Sequence, residues 1–138
     1  METRQEADLR VVGKPIERVD GFEKVTGKAT FAVDMELPRM LHGKIYRSRF
    51  AHAEILSINI ERALTVPGVH AILTGKDVPD GLRGRGLLDT PILAQGKVRY
   101  VGEPIAAIAA ESLDAAEEAS DLIDVEYRAL PALFDPEE

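Results

Sequence analysis

Apolar and polar residues alternate over 24–34, with β-branched positions among them, a pattern that predicts a half-buried strand interrupted at Gly27. A second strand is predicted over 41–50, bent at Gly43, and a third over 53–60, where Ile58 and Ile60 share one side. Residues 61–65 supply barely one helical turn before Pro67 and Gly68 stop it, and 69–74 reads as a strand closed by Gly75. From 76 to 95 the pattern dissolves among Pro79, Gly81, Gly84, Gly86 and Pro91, which predicts a long surface loop with short local turns. A loop of that length in a compact domain is often functional or packed against another body, and contact with a further domain or subunit is expected of it.

The most specific stretch is 96–112. It predicts strands over 98–101 and 105–110, joined by a turn in which Gly102 permits an unusual backbone angle and Pro104 fixes φ. The run 105–110 is apolar throughout, as a strand buried on both faces would be. Ser112 then offers a helix N-cap with Asp114 in the first turn, and Leu113, Ala116, Ala119, Ser120 and Ile123 follow at helical spacing. A last strand is predicted over 124–127. Several strands with two helices, not in βαβ alternation, predict an α+β domain.

Length and composition narrow this further. At 138 residues the chain suits a single domain with a core of its own, and four Phe, three Tyr and no Trp make that core aliphatic. The absence of Cys excludes disulfides, thiolate metal sites, iron–sulfur clusters and a cysteine nucleophile within these residues, and fits the cytoplasm. No apolar run is long enough to span a bilayer. Residues 1–12 begin with alternating charges and no apolar core, which reads as a polar, disordered lead-in and not a secretory signal. Residues 111–138 hold ten carboxylates against Arg128 alone, a charge of −9 within a chain total of −7, which leaves +2 before it. Nucleic-acid binding needs the opposite sign on one face, so the acidic stretch reads as a solvated helix face and chain end.

Candidate chemistry is sparse. His42, His52 and His70 lack metal-ligand spacing, and a structural or exposed role is favoured for each, with the His52 ring placed to cap a turn or bond a backbone carbonyl. Gly81, Gly84 and Gly86 with Arg83 and Arg85 invite a phosphate-loop reading, but no Gly-Lys-Ser/Thr follows and no clear helix opens on them. Glu117 and Glu118 point to different faces of an exposed helix, where carboxylates make poor general acids. Ser48, Ser57, Ser112 and Ser120 lack the context of a nucleophile. No catalytic, cofactor-binding or metal residue is therefore assigned.

Four blocks in order resemble the N-terminal α/β hammerhead domain of the molybdenum-cofactor large subunit in the xanthine dehydrogenase and aldehyde oxidase family. They are 13–31, 40–53 with Leu41-His42-Gly43 and Arg47-Ser48, 66–77 with Pro67-Gly68-Val69-His70, and 97–111 followed by 125–131. The resemblance implies a mixed sheet with a projecting β hammerhead and two helices over 13–138. It also implies a parent reaction, hydroxylation of an aldehyde or N-heterocycle carbon at a molybdopterin-bound molybdenum, with iron–sulfur clusters and FAD as electron carriers on other domains or subunits. Cofactor contacts and the catalytic Glu of the family fall in domains that follow this one, so none is carried over. Where relatives often have Pro after the Arg-Ser of the second block, this chain has Arg49, which puts the local turn and the packing of Phe50 in question.

The expected function is thus a structural and docking domain of such a hydroxylase, partnered by its remaining molybdenum-binding domains and its iron–sulfur and flavin subunits, with no turnover of its own. The alternative is a freestanding protein-interaction module with the same fold and no redox chemistry. Neither reading involves nucleic acid or membrane, and surface left bare by missing domains leaves self-association open.

Overall fold

A computed structural model describes residues 11–79, 81–84, 86–135 and 137. The chain forms two compact units that divide between Leu37 and Pro38. The expected lead-in falls mostly outside the described residues; of it, Val11 and Val12 are exposed.

In the first unit, helix α1 (Gly21–Val25) and a 3-10 turn (Ala32–Asp34) replace the strand expected over 24–34. The reason is local. Gly27, at φ 70°, ends α1 with a doubled backbone closure in which Lys28 N–H donates to Glu23 O (2.8 Å) and Gly27 N–H to Lys24 O (3.4 Å). The next residues close on themselves as well, with Phe31 N–H donating to the Asp34 carboxylate at 2.9 Å. No described strand pairs with this stretch, so alternation alone had nothing to bond to.

The second unit carries the sheets. In chain order its elements are β1 (His42–Arg47), β2 (Ala53–Asn59), α2 (Glu61–Leu64), β3 (Val69–Thr74), β4 (Leu82–Arg83), β5 (Thr90–Pro91), β6 (Lys97–Val98), β7 (Pro104–Ala110), α3 (Leu113–Leu122) and β8 (Asp124–Ala129). One sheet has the order β1–β7–β3, a second β6–β2–β8, and β4 pairs with β5. Every pairing among the described residues is antiparallel, in contrast to the expected mixed sheet. The α+β hammerhead class stands, with α1 as a third short helix beside the two expected. Gly43 lies in register opposite Ala109 without a bend; the irregularity in β1 comes at Tyr46 and Arg47.

β7 is the central strand, and its apolar run is fully buried on one face, where Ala106, Ile108 and Ala110 lie in one core with Ala116, Ala119 and Ile123 of the α3 region; on the other face, expected to be buried too, Ile105 is buried while Ala107 and Ala109 are half-buried. Ile105 lies in a second core with Ala53, Ala94 and Val98. The alanines on α3 have no side-chain bulk to hold the helix off the sheet. Ser112 caps α3, its hydroxyl accepting from Ala115 N–H at 3.1 Å. The strand expected over 98–101 shrinks to β6, for a reason that lies in the turn after it.

Candidate interaction surface

The turn at 99–103 is fixed from several directions. Gly102 adopts φ 90°, its N–H donates to Ser48 O (2.8 Å), and its carbonyl accepts from Arg47 Nη1 (2.9 Å). Ser48 N–H donates to Glu103 O at 3.0 Å. The Glu103 side chain folds back into the turn, accepting from the backbone N–H of Arg99 and, at 2.8 Å, from Arg99 Nη1. Glu103 is only 2% exposed, so its charge depends on that partner. Bonding to a carboxylate also takes the Arg99 N–H out of any strand ladder, which is why β6 ends at Val98.

Opposite this turn runs the segment after β8. Leu130 N–H donates to His52 O (3.0 Å), and the His52 ring bonds Pro131 O through Nδ1 (2.6 Å). His52 thus takes the structural role expected of it, bonding a backbone carbonyl. Together the two segments enclose a cleft of about 430 Å³ whose lining includes Arg99, Tyr100, Val101, Leu133 and Phe134. A larger cleft of about 500 Å³ lies between β2 and the segments around Lys76 and Gln95, and two of its lining residues are bonded to each other, Gln95 Nε2 donating to Gly75 O at 2.8 Å.

The remaining sequence candidates are dispersed. His42 is exposed on β1, and His70 pairs with Glu111 at 3.0 Å on the surface. Glu117 pairs with Lys44 at 2.7 Å, and Glu118 is exposed. Ser48 is buried in the turn before β2, its hydroxyl accepting from Phe50 N–H (3.0 Å) and donating to Phe50 O (2.9 Å). That closure shapes the chain around Arg49 and sets the Phe50 ring 4.7 Å from Tyr127. Leu82 and Arg83 pair with β5 and no helix opens on them, while Arg85 lies outside the described residues.

The electrostatics follow the packing. Burial pushes the Tyr127 phenol well above its ordinary range, and Tyr46 beside it adds to the shift. Asp77 is held below its ordinary value by the N–H and hydroxyl of Thr74, and Asp20 by Arg18 and Lys24. Among the described residues no three His, Cys, Asp or Glu converge as a ligand set, and every buried side-chain nitrogen or oxygen has a partner.

Comparison with known proteins agrees with this picture. Residues 26–131 match the family model described as "aldehyde oxidase and xanthine dehydrogenase, a/b hammerhead domain". The chain is 45% identical over 130 residues to a probable xanthine dehydrogenase component of Bacillus subtilis (strain 168), a match covering 92% of this chain and 17% of that protein. It is 40% identical to the nicotinate dehydrogenase large molybdopterin subunit of Eubacterium barkeri, covering 92% of this chain and 30% of that one. In structure it superposes on the reconstituted CO dehydrogenase from Oligotropha carboxidovorans with a TM-score of 0.84 at 34% identity, over 90% of this chain and 16% of that one. The chain thus spans less than a third of each of these three relatives. No described helix is long and apolar enough to cross a membrane.

Proposed function

Because this chain belongs to the aldehyde oxidase and xanthine dehydrogenase family, as its a/b hammerhead domain, we propose that it is a structural and docking domain of a molybdopterin-dependent hydroxylase large subunit. We take residues 13–138 as that domain, since the family match spans the division at Leu37 and Pro38. The observation that carries the proposal is the asymmetry of coverage: relatives 40–45% identical take up 92% of this chain with only 17–30% of their own length. A polypeptide of which this is one domain has most of its mass elsewhere, and there we place the molybdenum cofactor and the groups that act on substrate.

The parent reaction is the oxidation of an aldehyde or N-heterocycle carbon, with molybdopterin-bound molybdenum supplying the redox chemistry and iron–sulfur and flavin groups on partner domains or subunits taking the electrons. We place the assembly in the cytoplasm. This chain's own contribution is rigid surface and bonded turns. A freestanding interaction module has less support, since each relative named above carries the equivalent of this chain as a minor part of a much larger polypeptide.

Co-expression with the molybdopterin, iron–sulfur and flavin polypeptides of its own genome, followed by a metal assay of the purified complex, tests the proposal. Molybdenum should accompany the complex and not the chain purified alone. Stoichiometric molybdenum on the lone chain, with turnover of an aldehyde or purine, overturns it.

A further inference from the structure

We propose that the cleft of about 500 Å³ beside β2 is a slot for one extended peptide segment, and that it takes the arm after β8 of a second copy of this chain. Residues 132–135 of one copy lie as an added strand against 56–59 of the other, with the Asp135 carboxylate on Lys76. The inference stands on these surfaces alone and does not rest on the function proposed above.

β2 is bordered unequally. On one side β8 pairs with it as far as Asn59, opposite Asp124. On the other, β6 pairs only with Ala53 and Glu54, and the last bond runs from Ile55 N–H to Gly96 O at 2.9 Å. Among the described residues no strand lies beside 56–59 on that side. An unpaired edge presents backbone donors and acceptors to an incoming strand. Leu56 and Ile58 of this edge line the cleft, and Lys76, Val78 and Pro79 line it too, from the segment after β3. That segment is fixed: Gln95 Nε2 holds Gly75 O, and Asp77 N–H donates to Thr74 O at 3.0 Å. A sheet edge carried on a whole domain meets this wall, whereas a single extended segment passes between wall and strand.

Chemistry selects the occupant. Lys76 is the one formally charged residue of the lining, and among the described residues no carboxylate forms an ion pair with it. Asp77 beside it feels that charge, but its Oδ2 is spent on the N–H (2.7 Å) and hydroxyl (2.9 Å) of Thr74. The arm is the complement of this slot. Residues 132–135 belong to no helix or strand, and Leu133 and Phe134 are 75% and 83% exposed. Residues 129–138 carry three carboxylates and no cation. Asp135 Oδ1 accepts from Glu137 N–H at 2.9 Å, which leaves Oδ2 for an ammonium. The arm's root is held by His52, through Leu130 N–H and Pro131 O, so its free part begins at Ala132. Pro131, without an N–H, precedes that part and removes no bond from an added ladder. Both stretches are four residues long, about 13 Å when extended.

Analytical ultracentrifugation of the full chain over a wide range of concentration tests the contact. Association that grows with concentration is expected. Lys76→Glu alone and Asp135→Lys alone should each weaken it about fivefold or more, because reversal turns attraction into repulsion, and the two together should restore it. The double variant Leu133→Ser, Phe134→Ser should weaken it at least about tenfold. A chain that stays monomeric throughout overturns the proposal, whether the slot then takes its own arm, another polypeptide or nothing. Association that the charge variants leave intact overturns it as well, as does a charge swap that fails to restore binding. Should a variant melt early, a synthetic peptide of residues 130–138 added to the parent chain decides: it should dissociate the assembly, and an assembly indifferent to the peptide refutes the slot. None of these outcomes bears on the domain's proposed place in a hydroxylase.

Discussion

Arg99 and Glu103, four residues apart in one turn, make two contacts: a guanidinium nitrogen 2.8 Å from one carboxylate oxygen and a backbone N–H on the other. The acid is buried and the base half-exposed, so the two ends of the pair are unequal. Removing the acid strands an N–H and a cation at the protein's edge, whereas removing the base strands a charge inside it.

Glu103→Ala should therefore lose about 2–3 kcal/mol of stability, below the full cost of breaking a buried pair because Arg99 rehydrates in part. Glu103→Gln keeps an acceptor for the Arg99 N–H and should lose less, about 1–2 kcal/mol. Urea midpoints at constant m-value measure both. A Glu103→Ala midpoint equal to the parent's would show that the turn does not depend on the carboxylate.

The glycines of this region divide by backbone angle and by space. Gly102→Ala should cost about 1–2 kcal/mol, because φ 90° is left-handed and no side chain relieves it, although the added methyl meets nothing within 4 Å. Gly75→Ala should be worse for a different reason: its methyl would lie 2.6 Å from the Ala94 carbonyl. Gly43→Ala, in open space on β1, should be neutral or gain up to about 1 kcal/mol. Thermal melts should place Gly75→Ala lowest, Gly102→Ala next and Gly43→Ala highest.

Ser112→Ala tests the α3 cap. Loss of the 3.1 Å bond from Ala115 N–H should cost about 1 kcal/mol, and Ser112→Asp should restore it by offering an acceptor with favourable charge at the helix start. Equal melting temperatures for parent and Ser112→Ala would mean that packing of Ala116 and Ala119 alone sets the helix.

That helix and β7 are legible because each announces itself locally, one by a capping serine and a 3.6-residue period, the other by an apolar run with no polar break. The stretch 24–34 misleads for the complementary reason: alternation describes a strand's faces but not its neighbour, and among the described residues no neighbour exists. Leu93 and Ala94 are buried core residues inside a segment that composition reads as loop, since Pro91 and Gly96 nearby hide them. Of the candidate surface, the Gly102 turn reads from sequence as tightly specified, but the buried Glu103 does not. The available signal is a lone acid between apolar runs with an arginine four residues before it. The pairing of the Tyr100 turn with the Leu133 arm depends on the contact of His52 with Pro131, which no local pattern encodes.

Alkaline pH should expose the Tyr127 environment. Its folded pKa lies above the ordinary 10.0, through burial first and the neighbouring Tyr46 second. The native state then holds the phenolic proton more tightly than the unfolded state does. The stability this contributes is fully present below pH 10 and is lost as pH rises beyond it, because only the unfolded chain ionises readily. Tyr127→Phe should flatten that decline in unfolding free energy between pH 10 and 11. Parallel curves for parent and variant in that window would assign the shift to another group.

The segment between Gly75 and Gln95 is the remaining place where sequence and structure point outward together. Its ends are secured, by Gln95 on Gly75 O and by Ala94 N–H on Pro104 O at 2.7 Å, while Leu82, Leu87 and Leu88 between them are all more than half exposed. The β4–β5 pairing there is two residues long, too short to resist opening. Trypsin should cut the free chain first after Arg83, and assembly with the molybdopterin polypeptide should slow that cut at least about tenfold if the leucines are covered. Mass spectrometry of timed digests reads both rates. A cut at Arg83 that proceeds equally fast in chain and complex would leave these leucines in solvent and confine docking to other surfaces of the domain.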